Sequence, residues 1–311
     1  MTEIVWNDAS EAEWRAALSA CGQSAVEQCW GYGVASAANG FTVDRGMVID
    51  GDKTIGMVQA FTKRFIGFAK VTQIVRGPLW LGDLPTLEAQ RPILAHLRQR
   101  FTKGRLTFVY WLPELMDTPD TRLAMRRVRL RRVMTGYASA WVDLRSPISG
   151  IEAALSGTWR NQLRWAEKEE LSIAAASGGQ GLDALLSRHD ENRKRRGFGG
   201  PNGGFIRAII EGTSDRQDAM GVTARHKREP VAGILMLRHG DSATYYAGWT
   251  TEEGRTVYAH NALLWRGITM LQKAGVQWLD VGGLDTTNAA GIARFKLGLG
   301  GEVFTLAGSY L

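Results

Sequence analysis

Apolar and polar positions change period repeatedly along the chain. "SEAEWRAALSAC" spaces its apolar residues three and four apart behind a serine with a glutamate three places on, which predicts a capped amphipathic helix. "FTVDRGMVID" and "KTIGMVQAFTKRF" alternate instead, and the "DGDK" between them predicts a hairpin. "AKVTQIVRGPLW" follows as a third strand ended by Gly77 and Pro78. The pattern then gives a helix in "LEAQRPILAHLRQRF", an apolar strand in "LTFVYWL", a helix in "TPDTRLAMRRVRL" and an alternating strand in "GYASAWVDL".

The second half runs through nearly the same order. Helices "ALSGTWRNQLRWAEKEE" and "LLSRHDENRKRRG" precede a hairpin of "MGVTARHK" and "PVAGILMLRHGD", then a strand "SATYYAGW". A long helix "YAHNALLWRGITMLQKAG", an apolar strand "VQWLDVGG", a helix "NAAGIARFKLG" and a strand "EVFTLAGSY" complete it. The repetition predicts an internal structural duplication, with the joint near "DLRSPISG", where Pro147 and Gly150 interrupt the pattern. The predicted domains are 1–145 and 146–311, the last strand being free to pack back on the first. The glycine-rich "RRGFGGPNGG" is a candidate substrate lid.

Composition narrows the function classes. The 311 residues are 44% hydrophobic and 22% charged, a globular balance with length for two domains. No run of eighteen apolar residues occurs and the first residues are polar and acidic, so a cytoplasmic protein is expected, without a signal peptide or membrane span. Two cysteines and five scattered histidines supply neither a disulfide framework nor metal-ligand spacing, and no metal is expected. The net charge of +7 points to an anionic partner.

Five short motifs in fixed order carry a more specific reading. They are the helix residues Arg160, Asn161, Arg164, Ala166 and Lys168; the strand Tyr245 to Gly248; the helix opening Tyr258–Ala259; the D-x-G-G of Asp280 to Gly283; and Phe295, Lys296, Gly300 and Gly301 near the end. With "RGPLW" in the first half, this resembles the Fem-type (FemABX-like) aminoacyltransferases, and the resemblance covers nearly the whole chain. It implies an α/β fold of two tandem GNAT-like domains, each a mixed, mostly antiparallel twisted sheet flanked by helices. It also implies transfer of an amino acid from aminoacyl-tRNA to an amine acceptor, a peptidoglycan precursor or another small peptide or metabolite, by direct amide formation. Aminoacyl-tRNA is then a co-substrate and no cofactor is needed.

Amide formation from an ester develops an oxyanion, and a cation aimed at it is worth about 3–4 kcal/mol. By the resemblance Lys296 takes that role; its bland alternative is a lysine on a solvated helix face. Tyr246 is a second catalytic candidate, donating through its hydroxyl, although alternating aromatics in a central strand are usually core. Tyr258 opens a helix, where free N–H groups suit an anion, or else it is an aromatic staple. Asp280 is a candidate substrate contact, against the ordinary role of an aspartate capping a loop. Phe295, Trp249 and Tyr32 complete the substrate-binding set with Arg195 and Arg196, which lie in the region from which the family contacts substrate phosphate. Arg126, Arg127, Arg129, Arg131 and Arg132 form a dense acid-free run read as a nucleic-acid surface.

Two departures matter. Tyr32 stands where relatives carry a substrate-binding lysine, and Leu112 where they carry an aspartate before "P-E", so the first-domain acceptor pocket is expected to differ. Acyl-CoA is the alternative donor, but "TTEEGRTVYAHNA" has one glycine and adjacent glutamates where a pyrophosphate loop needs several close backbone N–H groups. A non-catalytic RNA- or nucleotide-binding module is the remaining alternative.

Overall fold

A computed structural model describes residues 2–65, 69–197 and 199–311. The chain forms two compact units: Met1–Ala138 with Phe304–Leu311, and Ser139–Val303.

The first unit begins with β1 (Thr2–Trp6), α1 (Glu11–Ala20) and α2 (Trp30–Ala38). The expected capping box is present in α1: Glu13 N donates to Ser10 Oγ at 3.3 Å and Ser10 N donates to Glu13 Oε2 at 2.8 Å. Then follow β2 (Thr42–Asp50), β3 (Lys53–Phe65), β4 (Ala69–Val75), β5 (Leu79–Trp80), α3 (Leu87–Phe101), β6 (Thr107–Leu112), α4 (Pro119–Arg127) and β7 (Arg132–Met134). Strands β2 and β3 form the predicted antiparallel hairpin, and β4 runs parallel to β6 from Lys70↔Thr107 to Val75↔Leu112. The core buries Val58, Ile74, Leu94, Leu97, Val109 and Trp111, because α3 turns its three-and-four-spaced apolar face onto the sheet.

The second unit takes up β8 (Ala138–Asp143), α5 (Ile148–Ala154), α6 (Gly157–Ala166), β9 (Leu171–Ala176), α7 (Gly179–Arg196) and α8 (Gly203–Glu211). It continues through β10 (Ala219–His226), β11 (Glu229–His239), β12 (Ser242–Thr250), α9 (Glu252–Thr256), α10 (Ala259–Lys273), β13 (Trp278–Asp280), α11 (Ala290–Leu297) and β14 (Glu302–Thr305). Its sheet order is β14-β8-β13-β12-β11-β10-β9, while β15 (Ser309–Tyr310) joins the first sheet, whose order is β1-β2-β3-β4-β6-β15-β7. In both sheets one parallel pair, β4·β6 or β12·β13, sits among antiparallel neighbours. Helix α10 buries Leu263, Leu264, Ile268 and Leu271 in the second core.

Several elements depart from the sequence pattern. "ALSGTWRN" is not one helix: α5 ends at Ala154, and Ser156 Oγ accepts from Trp159 N at 3.3 Å to start α6. Strand β9 was hidden because "LSIAAA" is alanine-rich and mostly exposed, and α8 because it opens on two glycines behind the Asn202 cap. "EVFTLAGSY" is two short strands divided at Gly308, whose φ is +114°. Of the predicted lid, Phe198 lies outside the described residues. Its flanks are tied down by Gly197 closing α7 and by Gly203 N donating to Asp190 Oδ1 at 2.9 Å.

Candidate functional site

The D-x-G-G motif and α11 together hold Lys296. Asp280 ends β13 fully buried, where it accepts hydrogen bonds from Ser139 Oγ and, at 2.8 Å, from Gly282 N. Gly282 has φ +73°, and a Cβ there would sit 2.8 Å from the Tyr245 carbonyl oxygen and 3.3 Å from Lys296 Nζ. A side chain at this position meets both backbone strain and a collision. The turn aims the Gly283 carbonyl at Lys296, whose Nζ donates to it at 2.9 Å and lies 5.5 Å from the Tyr245 ring centroid. Burial lowers the Lys296 ammonium pKa to about 8 against the opposing pull of Asp280. Lys296 is half-buried, not on a solvated helix face.

A cavity of about 470 Å³ adjoins this lysine across the Tyr245 ring. Its walls include Tyr245, Trp249, Tyr258, His260, Ile292 and Phe295, with Arg196 and Arg255 among the lining residues. The Tyr245 hydroxyl lies 2.9 Å from His260 Nε2, and Phe295 meets the His260 ring edge to face at 5.7 Å while stacking on Trp159 at 6.0 Å. Burial depresses the His260 imidazole to about 4, so it is neutral at pH 7, and raises the Tyr245 phenol, so it keeps its proton. Gly248 is required beside this pair, because a Cβ there would run into the Tyr245 hydroxyl and lie 3.0 Å from His260 Nε2. Arg196 and Arg255 also line a neighbouring depression of about 690 Å³, with Arg188 and Arg195 and the acids Glu229, Glu252 and Glu253.

The structure gathers Phe295, Tyr258, Trp249 and Arg196 around the cavity, sets Lys296 beside it and Arg195 in the adjoining depression. Tyr258 precedes α10 in the left-handed region at φ +51°, a conformation that a bulky residue adopts only at a cost of order 1–3 kcal/mol. Two candidates stand elsewhere in this unit. Asp280 is enclosed beneath the Gly282–Gly283 turn, which it orders instead of lining the cavity. Tyr246 is the extra residue of a β-bulge, since Leu235 pairs with Ala247 and Met236 with Tyr245, and it is Tyr245 that lines the cavity.

Tyr32 belongs to the first unit, on α2, with its ring 5.4 Å from that of Phe61. The arginine run is also there. Arg126, Arg129, Arg131 and Arg132 line a third depression, of about 470 Å³, together with Arg122 and Tyr310. Arg122 is held by Asp117 at 2.6 and 2.9 Å, Arg132 reaches the same carboxylate at 3.3 Å, and Arg127 pairs with Glu88 at 3.2 Å. Arg126, Arg129 and Arg131 are exposed. Among the described residues no cluster of three or more His, Cys, Asp or Glu is placed to hold a metal ion, and no helix is long and apolar enough to cross a membrane.

Residues 155–302 match the acetyltransferase (GNAT) domain family model. The whole chain superposes on the crystal structure of FemX with a TM-score of 0.82 at 12% identity, over 98% of this chain and 96% of that one. The fold is a tandem GNAT fold. A tandem GNAT protein from the clavulanic acid biosynthesis pathway gives 0.56 at 13% identity, covering 100% of this chain and 98% of that one. The C-terminal domain of a putative lysylphosphatidylglycerol synthetase from Agrobacterium fabrum gives 0.58 at 13% identity, covering 97% and 91%. No curated protein matches the chain in sequence.

Within the second GNAT domain, sequence reasoning passed over His260, Asn261, Gln162, Asn192, Arg255 and Ile292 as cavity residues. The Tyr245-to-Gly248 spacing was the available signal for His260: a glycine three residues after a tyrosine leaves room for that hydroxyl to reach a partner. Nothing local marks the Asn261–Gln162 contact, 3.2 Å between α10 and α6, because it joins residues 99 apart in sequence.

Proposed function

We propose that the protein is an acyltransferase that moves an amino acid from aminoacyl-tRNA to an amine acceptor on a small peptide, a peptidoglycan precursor being the leading class. The observation that carries this is the half-buried Lys296 ammonium, held by the Gly283 carbonyl beside an aromatic cavity with arginines in its lining. The fold shared with FemX supports it.

In the proposed reaction a neutral amine attacks the ester carbonyl carbon, the C–N bond forms, and the carbonyl oxygen becomes an oxyanion facing Lys296 Nζ. Collapse breaks the C–O bond to the tRNA ribose, and the proton lost by the amine ends on the departing ribose oxygen. An oriented cation in a site shielded from water stabilises this charge with little reorganisation. Neutral His260 and protonated Tyr245 hold one another by hydrogen bond and keep the wall between cavity and lysine uncharged. Arg195, Arg196 and Arg255 suit the donor phosphates, and exposed Arg126, Arg129 and Arg131 suit a longer nucleic-acid contact.

The acyl-CoA alternative is weakened by the segment before α10. It folds as the short helix α9, capped by Thr251 and carrying Glu252 and Glu253, instead of an open glycine loop. Purified protein given labelled aminoacyl-tRNA, or acetyl-CoA, with a lysine-bearing stem peptide tests the proposal. Label moving from tRNA to the peptide amine is expected. Turnover with acetyl-CoA alone overturns it, and salt-dependent RNA binding with no product from either donor supports a binding module instead.

A further inference from the structure

The cavity beside Lys296 is large and apolar for the chemistry assigned to it. Transfer of a glycyl or alanyl group needs no more than a methyl-sized recess next to the reacting carbonyl, yet about 470 Å³ is available. Trp249, Tyr258, Phe295 and Ile292 surround the Tyr245–His260 pair with apolar surface, and the amides of Gln162, Asn192 and Asn261 complete the wall. Gly248, Gly254 and Gly291 line it without side chains. The cations are shared with the neighbouring depression, through Arg196 and Arg255, and Lys296 lies behind the Tyr245 ring. With the donor phosphates assigned, as proposed above, to Arg195, Arg196 and Arg255, the apolar space is left for an uncharged group joined directly to the carbonyl.

We infer that this cavity receives the side chain of the transferred aminoacyl group and that this side chain is large and apolar, of the leucine or phenylalanine class. The inference rests on the aminoacyl-transfer reading above. Burial of such a side chain removes apolar area from water and fills a space that a small side chain leaves to solvent. A pocket of this kind separates a large apolar side chain from a small one by roughly ten- to a few-hundred-fold. Its one imidazole is neutral and bonded through Nε2 to Tyr245, and its two cations, Arg196 and Arg255, also line the neighbouring depression.

The test uses stable donor mimics, amides of 5′-phospho-3′-amino-3′-deoxyadenosine bearing glycine, alanine, leucine or phenylalanine, titrated calorimetrically against the full chain. The leucyl and phenylalanyl amides are expected to bind at least tenfold more tightly than the glycyl amide. Ile292→Trp, a change at a residue 49% exposed and so compatible with folding, is expected to fill the space and erase that preference. Equal affinity across the four amides overturns the size assignment and leaves the donor reading standing, with the adenine as the cavity's occupant. Absence of binding by all four removes the donor reading itself, and the inference with it.

Discussion

The two sheets use one plan and finish it differently where their parallel strands part. In the first unit β4 and β6 pair as far as Val75↔Leu112, and the next residues close the gap. Arg76, 2% exposed, places two guanidinium nitrogens 2.8 and 2.6 Å from the Glu114 carboxylate and packs over the rings of Tyr137 and Phe304 at 5.3 and 5.5 Å. In the second unit β12 and β13 pair as far as Thr244↔Asp280, and beyond them come Tyr245, the Gly282–Gly283 turn and Lys296. A cation stands near the divergence in both. One is neutralised by a bidentate carboxylate, as a structural cation is; the other has a carbonyl and a ring for company, and in the proposed reaction its charge faces the substrate.

Exchanging the readouts is the sharpest way to break this comparison. Lys296→Ala is expected to lower turnover by roughly 10²–10³, the cost of one preorganised oxyanion donor, while the far-ultraviolet dichroism and unfolding midpoint stay near wild type. Unchanged turnover would place Lys296 among packing residues. Glu114→Gln is expected to do the reverse. Stripping the buried guanidinium of its counter-charge costs about 2 kcal/mol of unfolding free energy in denaturant titration, with kcat retained in the folded fraction. A kcat loss as large as that of Lys296→Ala, in folded protein, would show that the first gap also takes part in chemistry.

Much of the duplicated order was legible because it rests on local signals: alternation in β2 and β3, the continuous apolar run of β11, three-and-four spacing in α3 and α10, and the Ser10 capping box. What was missed has physical causes. The bulge that makes Tyr246 the extra residue depends on the register between β11 and β12, which no run of residues within one strand reveals. The Tyr245–His260 contact joins the strand β12 to the helix α10, and the buried Asp280 carboxylate bonds the Gly282 turn instead of lining the cavity. Lys296 was singled out by its motif, whereas its half-buried setting depends on Gly283 and Tyr245, both distant in sequence.

The smallest expected effect follows from that setting. Burial favours the uncharged amine, so the Lys296 charge is present below about pH 8 and is lost as pH rises through that value. An oxyanion partner must be charged, so with an acceptor amine of low basicity, already neutral at pH 7, single-turnover rate should fall by roughly fourfold between pH 7 and 8.5. Lys296→Arg separates charge from basicity, because a guanidinium stays protonated across that range. The variant should lose some rate to its altered geometry and show no alkaline limb. If Lys296 instead acts as the base that accepts the amine proton, the sign reverses: wild-type rate rises through pH 8, and the arginine variant is inactive at every pH.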